Sequence, residues 1–131
     1  LQIAFSSTAV RTVGLEFGYH YRLHHPWEYR RFFQGSQVLR LRECTVFRIR
    51  NTVGHFRLGI TFKARGSSVE RNRLKRQIRE AFRLLGPVLG EYDYNIVIAA
   101  HRKLSWESTR KLARCLREDF PREMAHFKTA R

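Results

Sequence analysis

Hydrophobic and polar residues follow a helical period between residues 67 and 85. When each residue turns the chain by about 100°, the apolar positions fall in one arc of roughly 100°; they are Leu74, Ile78, Ala81, Phe82 and Leu85. Ser67 and Glu70 have the spacing of a capping box, and Gly86-Pro87 supplies a stop. The pattern therefore predicts a helix with one face on a core.

Two further helices are predicted, one before and one after this segment. Pro26 suits the first turn of a short helix that Gly35 ends, and that helix would present an aromatic face of Tyr29, Phe32 and Phe33. Ser105 is in the position of a cap for a last helix. The inner side of the last helix is predicted to consist of Trp106, Leu112, Ala113, Leu116 and Phe120. The chain from residue 121 onward is expected to fray.

Strands are predicted on both sides of the central helix. Residues 38–50 are rich in β-branched and aromatic residues. From residue 45 they alternate, with Thr45, Phe47 and Ile49 on one side and Val46, Arg48 and Arg50 on the other. A turn at 51–54 leads to a second strand at 56–62, which is expected to return antiparallel. The apolar run from Tyr92 to His101 is typical of a central strand, and a helix between two strands predicts a parallel crossover.

These elements give the order α-β-β-α-β-α, which is an α/β (α+β) sandwich around a small mixed sheet. A single domain is expected over residues 22–120, because a chain of 131 residues suits one ordinary core. Residues 1–21 are weakly patterned and are expected to form an extension, and residues 121–131 a C-terminal tail.

The charge of the chain points to an anionic partner. Lys and Arg number 26 against 11 Asp and Glu, which gives a net charge of +15 at pH 7. Nucleic acid is the first candidate and an anionic membrane surface the second. The longest apolar run, residues 96–100, is far shorter than the ~20 residues of a membrane-spanning helix. Cys44 and Cys115 have no partner at metal-ligand spacing, so unlinked thiols and no metal site are expected.

The predicted central helix also has a cationic arc. Across roughly 140° it presents Arg71, Lys75, Arg76, Arg79 and Arg83, with Asn72 near the middle. A solvated face is the ordinary explanation for such a run, but solvated faces mix both signs, and Glu80 is the only acid between residues 71 and 83. Like charges one turn apart repel each other, and a polyanion would relieve that repulsion. The arc therefore favours binding to a nucleic-acid backbone.

The residues themselves resemble a known family. The series Arg71-Asn72-Arg73, Lys75-Arg76, Arg79-Glu80 and Phe82-Arg83 is similar to the signature of the protein subunit of bacterial ribonuclease P. The resemblance extends to Arg57-Leu58-Gly59-Ile60-Thr61, to Tyr92-Asp93-Tyr94-Asn95-Ile96-Val97, and to Tyr29 and Phe33 at two aromatic positions of the first helix. It covers residues 22–120, in order and with similar spacing.

The resemblance implies a ribosomal-protein-like fold with a left-handed crossover, against the usual rule. It also implies that a large catalytic RNA cleaves the 5′ leader from precursor tRNA with the help of this protein. The catalytic RNA would lie against Arg71, Asn72, Arg73, Lys75, Arg76 and Arg79. A cleft between the first helix and the sheet would hold the leader through Tyr29, Phe33, Phe47, Lys63 and Arg65, with Arg48 and Arg50 also following its backbone.

Some positions depart from the family pattern or have a second explanation. The chain has Lys63-Ala64-Arg65-Gly66 where a Ser-Lys-Lys-like run is usual, and the link to the triplet is shorter, so one cation contact with the leader would be displaced or missing. Tyr29 stands where Phe is usual, which keeps a stacking face and adds a hydroxyl. Core packing is the alternative for Phe33 and Phe47, and plain exposure the alternative for Arg48 and Arg50.

The sequence shows no catalytic residues of its own. Its acids form no Asp-x-Asp or Gly-bounded pair of the kind a two-metal nuclease uses. That absence agrees with what the resemblance implies, which is that the RNA subunit and the substrate hold Mg²⁺, with no site made by protein alone. The expected partners are the ribonuclease P RNA and precursor tRNA in the cytoplasm, with no membrane and no obligate protein partner. A basic ribosomal-type RNA-binding protein, a protein-only nuclease and a DNA-binding module are the rival hypotheses.

Overall fold

The computed structural model describes residues 18–129. The helices are α1 (Pro26–Arg30), α2 (Ser68–Leu85), α3 (Trp106–Arg114) and α4 (Phe120–Glu123), and the strands are β1 (Gln37–Arg40), β2 (Thr45–Arg50), β3 (Arg57–Phe62), β4 (Tyr92–Ile98) and β5 (Lys128–Thr129). A 3₁₀ turn, Arg31–Gln34, continues α1, and a π-helical turn, Cys115–Asp119, joins α3 to α4. Most of the predicted extension, residues 1–17, lies outside the described residues.

The five strands form one mixed sheet in the order β3-β4-β2-β1-β5. β3 and β4 are parallel neighbours joined through α2, and the other neighbouring strands are antiparallel. The predicted mixed α+β fold, the central strand that begins at Tyr92 and the parallel crossover are therefore confirmed, although the strand ends at Ile98 and not at His101. The left-handed sense of the crossover stays an implication of the resemblance.

Two strand predictions are wrong in detail. The segment 38–50 is two strands, because the chain turns at 41–44, where the Leu41 N–H donates to the Cys44 carbonyl at 2.9 Å. The strand at 57–62 does not pair with β2, since β4 lies between them. The turn at 41–44 contains no Gly or Pro to mark it, and β4 enters the sheet from a position more than 40 residues beyond β2.

The helices α2, α3 and α4 cover one face of the sheet, as the apolar arc predicts for α2, and α1 lies on the other face. Leu74, Ile78, Ala81 and Phe82 of α2 are all buried in a core that includes Tyr94 and Ile96 of β4. The capping box of α2 is present, with Ser67 Oγ accepting from the Glu70 N–H at 3.2 Å. In α3 and its continuation, the predicted inner residues Leu112, Ala113, Leu116 and Phe120 are buried.

One predicted inner residue of α3 is not inside. Trp106 is 59 % exposed, and its ring lies against Arg73 of α2. It is the first residue of the helix, immediately after the Ser105 cap, so it stands beside α2 while the following turns reach the core. Thr109, one turn further along α3, is buried instead of Trp106.

The C-terminal segment is ordered to residue 129, so the expected fraying from residue 121 is wrong. α4 follows the π-helical turn, and β5 then pairs with β1 at the edge of the sheet, Lys128 opposite Val38. Phe127 holds this segment in place, because its ring packs against the core. The Arg48 guanidinium also lies against two rings, with Cζ 4.0 Å from the Phe127 centroid and 4.2 Å from the Tyr92 centroid.

Candidate nucleic-acid interface

The cationic arc of α2 faces solvent with few acids to neutralise it. Arg71, Asn72 and Arg76 are exposed, and Arg73, Lys75 and Arg79 are half-buried. Among residues 18–129 none of these five cations is in a salt bridge, whereas Arg83 is held by Glu80 at 2.5 Å. All six predicted RNA-contacting residues therefore lie on α2. The cations among them differ from Arg83 of the same helix, whose charge is already paired with Glu80.

The half-buried cations are held by packing against neighbouring groups. The Arg73 guanidinium lies 4.6 Å from the Trp106 ring centroid, and Lys75 Nζ lies 5.9 Å from that of Phe62. Burial lowers the pKa of Arg79, and the nearby charge of Arg22 lowers it further. The helix thus offers fixed cations along one side and free ones at Arg71 and Arg76, an arrangement suited to an extended run of phosphates.

The second predicted site lies on the opposite face of the sheet from α2. Strand register places Phe47, Asn95 and Gly59 in one row across β2, β4 and β3. Phe47 is half-buried on this face, so it is not a core residue. Thr61 Oγ1 donates to Asn95 Oδ1 at 3.0 Å, which leaves the Asn95 amide N–H group with no protein acceptor among the described hydrogen bonds. We name this surface the open sheet face.

Tyr29 of α1 lies flat over β3 at the end of that row. A Cβ atom built on Gly59 would be 2.6 Å from Tyr29 Oη and 2.8 Å from Tyr29 Cζ, so only glycine leaves room for the ring. Burial raises the pKa of Tyr29, and a backbone hydrogen bond from Ile60 acts in the opposite direction. The hydroxyl that distinguishes Tyr29 from a phenylalanine is therefore tied to the strand beneath it.

A buried charge network fixes α1 on the sheet. Asp93 of β4 is fully buried and accepts from Arg57 Nε and Nη2 at 2.8 Å, from Arg31 Nη1 at 2.8 Å and from Asn51 Nδ2 at 2.9 Å. The remaining guanidinium nitrogen of Arg57, Nη1, donates to Glu28 Oε2 of α1 at 3.1 Å. Four donors satisfy the one carboxylate, as a buried charge requires.

Glu28 links the same network to the chain before α1. Its Oε1 accepts from the backbone N–H groups of His24 at 2.7 Å and His25 at 2.8 Å. Burial raises the pKa of Glu28, but these two hydrogen bonds and the Arg57 charge outweigh it, and the pKa is lowered overall. Glu28 is therefore ionised at neutral pH and holds the start of α1 against β3.

The remaining predicted leader residues are spread around the open sheet face. Phe33 is 90 % exposed on the turn after α1, which excludes core packing for it. Lys63 and Arg65 are exposed just beyond the end of β3, where the Arg65 carbonyl accepts from the Leu104 N–H at 2.9 Å. The structure thus brings Tyr29 and Phe47 onto the open sheet face. Phe33 lies at the edge of this face, exposed to solvent, and Lys63 and Arg65 lie beyond the end of β3.

Arg48 and Arg50 are not on this face. Strand alternation puts both on the side of Val46, and both guanidiniums lie over Tyr92, at 4.2 Å and 5.4 Å from its centroid. The prediction that they follow the leader backbone together with Phe47 is therefore wrong. The alternation recognised in the sequence already separated them from Phe47.

The polar residues that shape the open sheet face are not marked as functional by the local sequence pattern. Asp93, Asn95 and Thr61 lie within predicted strands, and no predicted role falls on Arg57. One signal was present, because an Asp inside an otherwise apolar central strand must find buried donors. Its partners, 36 and 62 residues away in sequence, are set by the sheet topology and not by local spacing.

Other kinds of site find no support among the described residues. Within residues 18–129 no three His, Cys, Asp or Glu side chains are grouped as a metal site would need. Cys44 and Cys115 are both buried and free, as the sequence predicts. The same part of the chain has no helix with the length and apolar character to span a bilayer.

The fold is that of a small basic α+β protein with two exposed surfaces, one cationic on α2 and one aromatic on the open sheet face. The sequence model of the family described as Ribonuclease P matches residues 17–122. The chain belongs to the ribonuclease P protein family.

Individual relatives agree with that assignment. The chain is 37% identical over 78 residues to the ribonuclease P protein component of an Exiguobacterium species, covering 59% of this chain and 68% of the relative. It is 37% identical over 87 residues to that of Histophilus somni, covering 65% and 73%. The solved RNase P protein of Thermotoga maritima superposes with a TM-score of 0.56 at 26% identity, over 73% of this chain and 94% of that one.

A Staphylococcus aureus RNase P protein, a mutant with defective mRNA degradation activity, has the same fold. Its TM-score is 0.66 at 24% identity, over 82% of this chain and 90% of that one.

Proposed function

We propose that this chain is the protein component of a ribonuclease P ribonucleoprotein, which helps a catalytic RNA to remove the 5′ leader from precursor tRNA in the cytoplasm. The observation that carries the proposal is the pair of separate surfaces. The cationic arc of α2, whose members other than Arg83 form no salt bridge within residues 18–129, lies on one layer, and the open sheet face under α1 lies on the other. A protein with two RNA-facing surfaces can hold two RNAs, or two parts of one complex, side by side.

The α2 surface is suited to the catalytic RNA. Arg71 and Arg76 have exposed guanidiniums that match phosphates in a bidentate manner, and the Asn72 amide can bond a phosphate, a sugar hydroxyl or a base edge. Each phosphate contact releases counterions, so affinity falls with salt at a slope of roughly 0.7–0.9 per contact. The half-buried Arg73, Lys75 and Arg79 add charge that the fold already orients.

The open sheet face is suited to a single-stranded leader. Tyr29 and Phe47 supply ring surface, and Asn95 supplies an amide between them. Stacking on aromatic rings tolerates any base, which fits a leader whose sequence differs from one tRNA to another. Lys63 and Arg65, beyond the end of β3, would neutralise leader phosphates.

The cleavage chemistry would reside in the RNA. Mg²⁺ held by the catalytic RNA and the substrate would activate the attacking water. The protein would act by lowering phosphate repulsion where the two RNAs meet, which raises substrate affinity and ion occupancy at low Mg²⁺.

The test is 5′-leader cleavage of a precursor tRNA at low Mg²⁺ by a bacterial ribonuclease P RNA, with and without this protein. We expect little cleavage by the RNA alone and restored cleavage with the protein. Unchanged cleavage, together with equal affinity for precursor and mature tRNA, would instead identify a basic ribosomal-type RNA-binding protein. Cleavage by the protein without RNA would identify a protein-only nuclease.

Substitution of Gly59 tests the open sheet face. Gly59→Ala places a methyl group 2.6 Å from Tyr29 Oη, so the ring must shift from its place over β3. Since stacking of one base contributes about 1–3 kcal/mol, the preference of the reconstituted complex for precursor over mature tRNA should fall roughly 5- to 150-fold. Competition binding with the two tRNAs measures it.

The matched control for that experiment is Tyr29→Phe, which removes the hydroxyl and keeps the ring. It should stay within about 3-fold of the wild-type preference, because stacking uses the ring face. If Gly59→Ala is folded by circular dichroism and keeps the full preference, Tyr29 is not part of the leader-binding surface.

A further inference from the structure

Trp106 is a large apolar residue that the fold leaves uncovered. It begins α3, directly after the Ser105 cap, and is 59 % exposed. Its indole lies against the Arg73 guanidinium, 4.6 Å from ring centroid to Cζ. Arg73 has no salt bridge among residues 18–129, and within this part of the chain its guanidinium contacts the Trp106 ring. The Arg73–Trp106 pair is thus a cation–π contact at the edge of the cationic arc.

The backbone around the pair is held in place. The starts of α2 and α3 touch, because a Cβ built on Gly66 would lie 2.6 Å from Leu104 Cβ. The segments leading into the two helices pair as a parallel bridge between Arg65 and Lys103. Ser105 forms reciprocal hydrogen bonds with Ser108, at 3.1 Å and 2.8 Å, which fixes the first turn of α3. Trp106 is therefore presented from a rigid position.

The surroundings of the pair are cationic. Arg65 and Lys103 are exposed on the two segments that lead into α2 and α3, where they form the parallel bridge. The adjacent acid, Glu107, is turned to Lys111, with Oε2 to Nζ at 3.8 Å. An indole stacked on a guanidinium and bordered by free cations has the composition of sites that bind unpaired nucleotides, where bases stack on rings and cations take the flanking phosphates.

The ordinary alternative is that Trp106 only packs on the side chain of Arg73. Single exposed apolar residues are common on protein surfaces and need no partner. That alternative requires apolar bulk at position 106 and no aromatic ring. The two roles therefore predict different results for Trp106→Leu. Leucine can replace tryptophan in packing on Arg73, but it cannot replace the ring in stacking on a base.

We infer that the Arg73–Trp106 pair is a stacking site for one unpaired base of the RNA that binds α2. The inference rests on the proposed function and adds to it a nucleotide-binding position on the α2 surface, away from the open sheet face. Trp106 stacks on the base, Arg73 holds the opposite side of the indole, and Lys103 with Arg65 neutralises the adjoining phosphates.

The chain offers a direct probe, because Trp27 and Trp106 are its two tryptophans. Trp27 is on α1, and the Trp27→Phe variant makes Trp106 the sole indole emitter. Titration of this variant with a bacterial ribonuclease P RNA should quench the emission, with a midpoint equal to that of RNA retention on a filter. The converse variant, Trp106→Phe, should show a smaller change, since Trp27 is on the other layer.

Affinity measurements complete the test. Trp106→Ala and Trp106→Leu should both bind the RNA about 5- to 20-fold more weakly, and Trp106→Phe should stay within about 3-fold of wild type. If Trp106→Leu binds as tightly as wild type, the residue only packs on Arg73 and the inference is wrong. Unchanged emission with salt-sensitive RNA binding also overturns it and leaves the proposed function standing. Failure of the wild-type protein to bind the RNA overturns both.

Discussion

Replacement of Asp93 by asparagine is expected to lower the free energy of unfolding by about 3–5 kcal/mol, which corresponds to a drop of roughly 10–20 °C in Tm. Asparagine keeps the shape of the side chain and removes its charge. Arg31 would then be left with no counter-charge, and Arg57 with Glu28 alone, at a position where the carboxylate itself is fully buried. Urea denaturation followed by circular dichroism measures the change.

The matched control is Glu80→Gln, which breaks the exposed pair with Arg83 on α2. Surface pairs of this kind contribute about 0.2–1 kcal/mol, so this variant should unfold close to wild type. If Asp93→Asn is too unstable to purify, Arg31→Met removes a single donor and should cost about 1–3 kcal/mol. Equal urea midpoints for wild type and Asp93→Asn would show that the network does not hold α1 on the sheet.

The second large effect is expected on RNA binding. Arg71→Ala/Arg76→Ala should weaken binding to the ribonuclease P RNA about 30- to 100-fold at 0.1 M salt and lower the salt slope by roughly 1.5, because two phosphate contacts are lost. Both side chains are exposed and outside the described salt bridges, so the stability of the fold should not change. Filter binding at four salt concentrations gives the affinity and the slope together.

A control variant that loses the same charge outside α2 distinguishes direct contact with the RNA from an effect of net charge. Arg114→Ala/Arg117→Ala also removes two exposed cations that are outside the described salt bridges, from the end of α3 and from the π-helical turn that follows it. This variant should lose only a few-fold in affinity through the long-range field. If the two double variants weaken binding equally, α2 is a general source of positive potential and not the contact surface.

Sequence patterns were sufficient wherever a structure depends on neighbours along the chain. The α2 helix has its cap, its apolar arc and its stop within 20 residues, and all three are present in the fold. Trp106 had the spacing of an inner residue, but its place at the first position of α3 put it beside Arg73. Helical spacing determines the direction of a side chain, and what lies in that direction depends on the packing of the helix.

Features that depend on distant partners could not be read in the same way. The hairpin at 41–44 has no turn residues, and the place of β4 between β2 and β3 depends on strand pairing across the whole domain. The candidate RNA surface of α2 was predictable because it lies on one helix. The open sheet face combines Tyr29, Phe47 and Asn95 from three elements, and only two of these three were predicted.

The position of β4 has a consequence for synthesis on the ribosome. β2 and β3 both pair with β4 and not with each other, so a nascent chain that ends before residue 92 has no continuous sheet. The apolar side of α2 then lacks Tyr94 and Ile96, against which it packs in the finished protein. The cationic helix therefore leaves the ribosome before its support exists. RNA capture by this protein in its folded form must follow translation of the last third of the chain.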